Sequence, residues 1–270
     1  MMARGLGRAA AAVAVLLGLL TLAGCATRLP PTEPLVSAEW LEAETLFAGF
    51  AARPTPPAID ADLRLNWDFL GSKGGVAAVL QLQRLVQLRF TATDPLGRAL
   101  FLAVSDGTAF TLVDNRQSRV YQGSTDSKFW HRYVPDAVAA EDLFLLLGGM
   151  SPEGVRRVNA SARDKGGAGF WYVLDARNGL TRHLLIDRHS GRIRRHLLVD
   201  DGETVLDIVY SGSTGADGAG YELPRELRVT GSAITGTLTV HIDTVYGFQP
   251  LPAATFHLVA PPHFMVEQVE

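Results

Sequence analysis

Seven histidines, one cysteine and a few neighbouring acids could do chemistry in this chain, and their spacing assembles no reactive centre. His131, His183, His189, His196, His241, His257 and His263 are scattered. No two of them form HxxxH or HExxH and no second cysteine joins them, so the ligand spacing of a zinc site is absent. There is no GxSxG elbow, no SxxK pair, no Walker loop and no GxGxxG opening a helix. Glu141-Asp142 and Asp200-Asp201 are acid pairs near a helix start and at a turn, where capping accounts for them. Gly212-Ser213-Thr214-Gly215 suits a phosphate by composition, but a hairpin loop explains it as well. Arg192, Arg194 and Arg195 form the densest basic cluster and read as a solvated strand face, while His183, His196 and His241 read as wet-face strand residues. The expectation is a non-enzyme, with no catalytic residue, metal or cofactor.

Chemistry does attach to the lone Cys25. Arg4 and Arg8 supply a positive start, Ala9 to Leu20 form an apolar run too short to span a bilayer, and Leu22-Ala23-Gly24-Cys25 closes the segment. That tetrapeptide resembles the lipobox of bacterial lipoproteins, which implies that residues 1–24 are a signal peptide and that Cys25 is acylated as the mature N-terminus. Ala26 in place of aspartate resembles lipoproteins sent to the outer membrane. Loss of Arg4 and Arg8 leaves the mature chain more acidic than the full-length net charge of −3. Nucleic acid, which needs a concentrated positive field, is therefore not an expected partner. With one cysteine there is no internal disulfide, so the domain must be held by its core. Residues 25–36, with Pro30, Pro31 and Pro34, suit an extended tether, and residues 37–270 read as a single domain.

The stretch Val86 to Tyr121 organises that domain. Val86, Leu88, Phe90 and Ala92 alternate with Gln87, Arg89, Thr91 and Thr93, the period of a strand with one dry face. Asp94-Pro95-Leu96-Gly97 then makes a turn: proline fixes φ, glycine permits a positive φ and the aspartate can bond back to the backbone. Leu96 is thus set at a hairpin tip, where it either points to solvent or folds back on the sheet. Leu100, Leu102 and Val104 share one face of the return strand, and Phe110 and Leu112 follow after Asp106-Gly107.

Upstream, Ser37 is a candidate N-cap for a helix with Trp40, Ala43, Phe47 and Phe50 near one stripe. Leu63, Leu65, Trp67 and Phe69 then mark a strand, Gly71 to Gly75 a turn, and Val76 to Gln83 a second strand. Downstream, Phe129, Trp130 and Tyr133 fit a short helix stopped by Pro135. Leu143, Leu146, Leu147 and Met150 mark a second helix ending at Gly148-Gly149. Six more strand patterns lie between Phe170 and Val245, with the segment Phe256 to Pro262 expected at an edge and the last residues loose. About ten to twelve strands with few helices and no βαβ alternation make a mainly β protein. The inward faces of these strands are either core or the wall of an apolar cavity.

Taken together, Leu22-Ala23-Gly24-Cys25, Thr93-Asp94-Pro95-Leu96-Gly97 with Leu100, Gly107 through Phe110-Thr111-Leu112-Val113-Asp114-Asn115, and the helical pair Phe129 to Gly149 resemble the LolB-like outer-membrane lipoprotein receptors of the LolA/LolB superfamily. The chain departs from that pattern by extra sequence at Ser211 to Gly220 and after Val245. The resemblance implies an incomplete antiparallel barrel of about eleven strands closed by helices. It implies an acyl-chain cavity lined here by Leu65, Trp67, Phe69, Leu88, Phe90, Leu100, Leu102, Phe110, Leu112, Trp130, Leu143 and Leu147, and a membrane-insertion loop at Pro95, Leu96 and Gly97. Its implied partners are acylated lipoproteins or phospholipid, a periplasmic lipoprotein carrier, and the membrane through lipidated Cys25, with the protein a monomer. The competing expectation is a structural or sensing envelope lipoprotein that binds a protein partner. A dry cavity under the helices would favour the first, and a packed interior with an exposed apolar patch away from Leu96 the second.

Overall fold

A computed structural model describes residues 30–84, 86–152, 157–216, 218 and 220–270. The signal segment, the lipobox with Cys25, and Ala26 lie outside the described residues. In chain order the elements are β1 (Thr32–Glu33), α1 (Ser37–Ala51), β2 (Ala58–Phe69), β3 (Ser72–Gln83), β4 (Gln87–Thr93), β5 (Ala99–Ser105), β6 (Ala109–Asp114) and β7 (Arg119–Ser124). After a 3-10 turn at Trp130–Arg132 come α2 (Ala140–Gly148), β8 (Ala160–Asp164), β9 (Gly169–Asp175), β10 (Thr181–Asp187) and β11 (Ile193–Asp200). The last are β12 (Glu203–Ser211), β13 (Glu226–Thr230), β14 (Gly236–Gly247) and β15 (Met265–Val269).

All fifteen strands form one sheet, in the order β1-β8-β9-β10-β11-β12-β13-β14-β2-β3-β4-β5-β6-β7-β15. Two meanders, β2 to β7 and β8 to β14, meet at the β14–β2 seam, where twelve-residue strands pair from Gly236↔Phe69 to Gly247↔Asp60. Inner-face residues of β2, β3 and β9 to β14 join Ala43 and Phe50 of α1 and Phe144 and Leu146 of α2 in one core cluster. Strands so far apart in the sheet order can share a single cluster only if the sheet curls around the helices. This is the expected class, an open curved antiparallel sheet closed by helices. The strand number exceeds the ten to twelve read from the sequence because β1, β8 and β15 are short pieces with weak periodicity of their own.

Several local expectations are corrected. Val36, not Ser37, is the N-cap of α1, with its N–H donating to the Glu39 carboxylate at 3.1 Å. Trp40 is 57% exposed and lies off the buried stripe of Glu39, Ala43 and Phe50. The β2–β3 turn is only Leu70-Gly71, and Gly74 sits within β3. A Cβ on Gly74 would come 2.6 Å from the Trp67 ring, so glycine there lets the indole lie across the strand. The residues at the end of the sequence are not loose: β15 pairs in parallel with the edge of β7. The segment leading to it crosses the outer face, where Leu251 N–H donates to Gln83, Arg89 donates to the Thr255 carbonyl at 2.9 Å, and Met265 N–H donates to the Ser118 carbonyl.

Candidate functional site

The site that sequence reasoning picks out has three parts: the β4–β5 tip, the inner face of the sheet, and the helical roof. At the tip, Asp94 does the work its position suggests. One carboxylate oxygen accepts the N–H groups of Leu96 and Arg98, each at 2.9 Å, and the other accepts Arg98 Nε at 2.7 Å. The backbone N–H of Arg98 and then its guanidinium hold the Asp94 carboxyl below the usual carboxylate range. Gly97 takes φ +78°, and Leu96 stands 78% exposed between Pro95 and Gly97. Of the two orientations open to it, Leu96 takes the outward one. Sequence reasoning missed its companion, Leu70, which is 92% exposed on the β2–β3 tip. β2 and β4 each run antiparallel to β3, so the two tips project from the same end of the sheet. The signal was present, since an apolar residue immediately before a turn glycine has nowhere to bury.

The residues expected to line a cavity divide into three groups. Leu65, Leu88, Phe90, Leu143 and Leu147 pack half-buried against the main core. Phe110 and Trp130 are buried in a second cluster with Phe129, flanked by Leu112 and Leu143, where Phe110 and Phe129 stack at 5.8 Å. Leu102 is elsewhere, and this is a correction; Leu100 is the unpaired residue of a bulge in β5 and belongs to neither cluster. The register pairs Phe90 with Ala103 and Thr91 with Leu102, so Leu102 alternates with the inner residues Phe101 and Ala103 and faces outward. It belongs to an outer apolar stripe with Val104, Val113 and Val120, on the face that Arg89 shares with the crossing segment. Both faces of β5 are apolar, so alternation alone could not choose between them. Trp67 and Phe69 sit half-buried on the last turn of β2 beside Gly74 and belong to neither cluster.

Among the described residues the space expected to be a dry cavity of several hundred Å³ is largely filled beneath α2. Between Leu82, Leu88, Trp130, Leu143 and Phe144 there remains a slot of about 10 Å³, no larger than one water needs. Larger spaces flank the roof. A cleft of about 530 Å³ lies at the N-terminal end of α2, beside Trp130, Ala139, Asp142, Arg182 and Leu198. Another of about 580 Å³ lies between the C-terminal ends of α1 and α2, walled by Phe50, Met150, Ile193, Tyr210 and Leu223. A groove of similar volume runs along the outside of α1 past Leu41, Leu46 and Gly49.

The roof is fastened by polar contacts through an otherwise apolar layer. Tyr172 O–H donates to the Ala43 carbonyl of α1 at 2.7 Å, and Tyr210 O–H to the Leu146 carbonyl of α2 at 2.9 Å. Burial raises both phenols well above their ordinary range. Arg182 Nη2 donates to Asp142 at 2.7 Å, with both side chains nearly sealed from solvent. Behind this pair the second terminal nitrogen of Arg182 and Nε2 of His196 are buried without a hydrogen-bond partner. His196 is therefore not a wet-face residue, as its strand pattern suggested. It is fully enclosed, and burial, followed by the Arg182 charge, pushes its pKa down to about 3, so it is neutral at physiological pH. Among the described residues no group of three or more metal-ligating side chains converges, and no helix is long and apolar enough to cross a membrane.

No protein-family model matches the sequence, and no curated protein matches it. Solved structures do share its fold. A DUF1329 family protein from Desulfovibrio piger superposes with a TM-score of 0.55 at 13% identity, covering 84% of this chain and 98% of that one. The LolA superfamily protein NE2245 from Nitrosomonas europaea gives 0.51 at 11% identity over 80% and 97%. A Vibrio parahaemolyticus domain, provisionally described as an outer membrane lipoprotein-sorting protein domain, gives 0.53 at 13% identity over 80% and 94%. At such identities the likeness establishes the fold alone: one large curved sheet holding two helices.

Proposed function

We propose that this chain is a lipid-anchored protein of the bacterial outer membrane, facing the periplasm, that receives acyl chains of lipoproteins, or lipid, between its sheet and its two helices. It then delivers them to the membrane in the manner of a LolB-like receptor. In this reading residues 1–24 are removed, Cys25 carries the acyl groups, and a periplasmic carrier supplies the cargo to a monomer; the tether is shorter than the expected 25–36, because Thr32 and Glu33 pair with β8 and Leu35 is buried in the main core. The protein performs no catalysis.

The observation that carries the reading is the Leu96 tip: a large apolar side chain held out into solvent by a turn that Asp94 locks. Burying one leucine contributes about 1.5–3 kcal/mol, enough to bias a transfer at a membrane surface and too little to anchor. The packed interior means that α1 and α2 must move aside for cargo, and the flanking clefts are where such movement would begin. The test is native mass spectrometry of the protein carrying Cys25→Ala, with transfer of a fluorescent lipoprotein to liposomes as the functional assay. Co-purified lipid or acylated peptide supports the reading, as does slowed release in Leu96→Glu. Protein recovered repeatedly empty, and normal release by Leu96→Glu, would remove it.

A second reading has observations of its own. The interior is filled, and Val36, Trp40 and Leu41 form an exposed apolar patch at the start of α1, on a different element from the Leu96 tip. A structural or sensing lipoprotein that docks a protein partner on α1 would have both features. Loss of a crosslinked envelope partner in Trp40→Ser, with lipid content unchanged, would favour it.

A further inference from the structure

The cleft between the C-terminal ends of α1 and α2 combines two surfaces that seldom meet without a reason. Its inner wall is continuous with the main core through Phe50, Ile193 and Tyr210. Its lip is cationic, since Arg53, Arg192 and Arg194 all border the same space. The carboxylates available there are already engaged. Glu222 pairs with Arg192. Asp187 pairs with Arg194 at 3.3 Å while also accepting the N–H groups of His189 and Ser190 and the Ser190 hydroxyl.

Arg53 is left with a neutral acceptor, the Ser190 carbonyl at 2.9 Å. Burial first, and the charge of Arg192 second, hold its pKa below the usual arginine value. A guanidinium held beside a second one with only a neutral acceptor carries a cost that an incoming anion would offset. Arginine is also the side chain suited to grip a phosphate or carboxylate through two parallel hydrogen bonds.

We infer that this cleft is the entry site for an anionic amphiphile, with Arg53 holding its phosphate or carboxylate beside the Arg192–Glu222 pair while its apolar chain lies along Phe50, Ile193 and Tyr210 toward the core. The inference rests on the acyl-binding reading above and adds to it a charge preference in the ligand. A neutral acylated peptide would leave the arginine lip unused.

The test uses the full chain with Cys25→Ala, titrated by calorimetry with dihexanoyl-phosphatidylglycerol, dihexanoyl-phosphatidylcholine and inorganic phosphate. The anionic lipid should bind about tenfold tighter than the zwitterionic one, the effect of one charge-assisted hydrogen bond. Arg53→Gln should abolish that preference at unchanged Tm, and Arg53→Lys should restore part of it. Equal binding of the two lipids overturns the charge preference while leaving acyl binding intact. Inorganic phosphate binding as tightly as the anionic lipid overturns the amphiphile, since the site would then take a free anion. Failure of both lipids to bind overturns this inference together with the reading beneath it.

Discussion

The two halves of the sheet treat their apolar residues in opposite ways. In β9 to β12 the inner face is sealed, with Phe170, Leu184 and Ile186 fully buried under the helices. In β2 to β7 burial fades toward one end: β2 begins with Ala58 and Ile59 buried, ends with Phe69 half-buried, and hands over to Leu70 at 92% exposure. Both halves contribute to the core, but at its tips the β2–β7 half also carries apolar groups out to solvent. Mutations should therefore separate stability from surface activity according to the half they strike.

The largest effect is expected at the buried ion pair of the sealed half. Arg182→Leu leaves Asp142 charged and unpaired beneath α2, which should cost about 3–5 kcal/mol in urea unfolding. Arg182→Leu with Asp142→Leu should recover most of that loss. If the single variant unfolds like the parent, the pair is not holding the roof.

The next effect is on pH dependence. Folded His196 stays neutral until the pH approaches about 3, whereas an unfolded imidazole takes up its proton near 6.5. The unfolded chain thus binds more protons as the pH drops below 6.5, and stability falls with it by up to about 1.4 kcal/mol per unit. Burial lowers His183 as well, adding in the same direction. Unfolding midpoints at pH 7.5, 6.5 and 5.5 should show this slope, and His196→Phe should flatten it.

A smaller loss, about 1 kcal/mol, is expected for Tyr210→Phe, which removes the hydroxyl that holds the Leu146 carbonyl. Hydrogen exchange should then report faster opening of α2 than of α1, whose own tyrosine bond is untouched. Smallest in stability, within about 0.5 kcal/mol, is Leu96→Glu on the reaching half. Its expected effect is weakened binding to liposomes, measured by flotation. A stability loss as large as that of Tyr210→Phe would mean that Leu96 packs on the sheet and that the contrast between the halves is misplaced.

Much of this architecture was legible in the sequence because turns and alternation are local. Asp94-Pro95-Leu96-Gly97 specifies its own hairpin, and Leu143, Leu146 and Leu147 with Gly148-Gly149 specify α2 and its end. What was not legible depends on distant partners. Leu102 reads as inner until the C-terminal segment is known to cover the outer face. His196 reads as a surface residue until α2 is laid over it, and Arg182 gave no signal before Asp142 arrived opposite. Arg53 was silent for the same reason, since it follows α1 and its neighbour Arg192 lies in the distant β10–β11 turn. The exposed Leu70, by contrast, is legible in the sequence, as an apolar residue directly before the glycine of its turn.

The β14–β2 seam sets a timetable for biogenesis. Asp60 and its strand cannot find their partner until Gly247, far along the chain, has been made. Until then the longest strands of the protein have a free side, and such non-local pairing is slow and prone to aggregate. The last pairing to form thus decides how long that open edge is exposed.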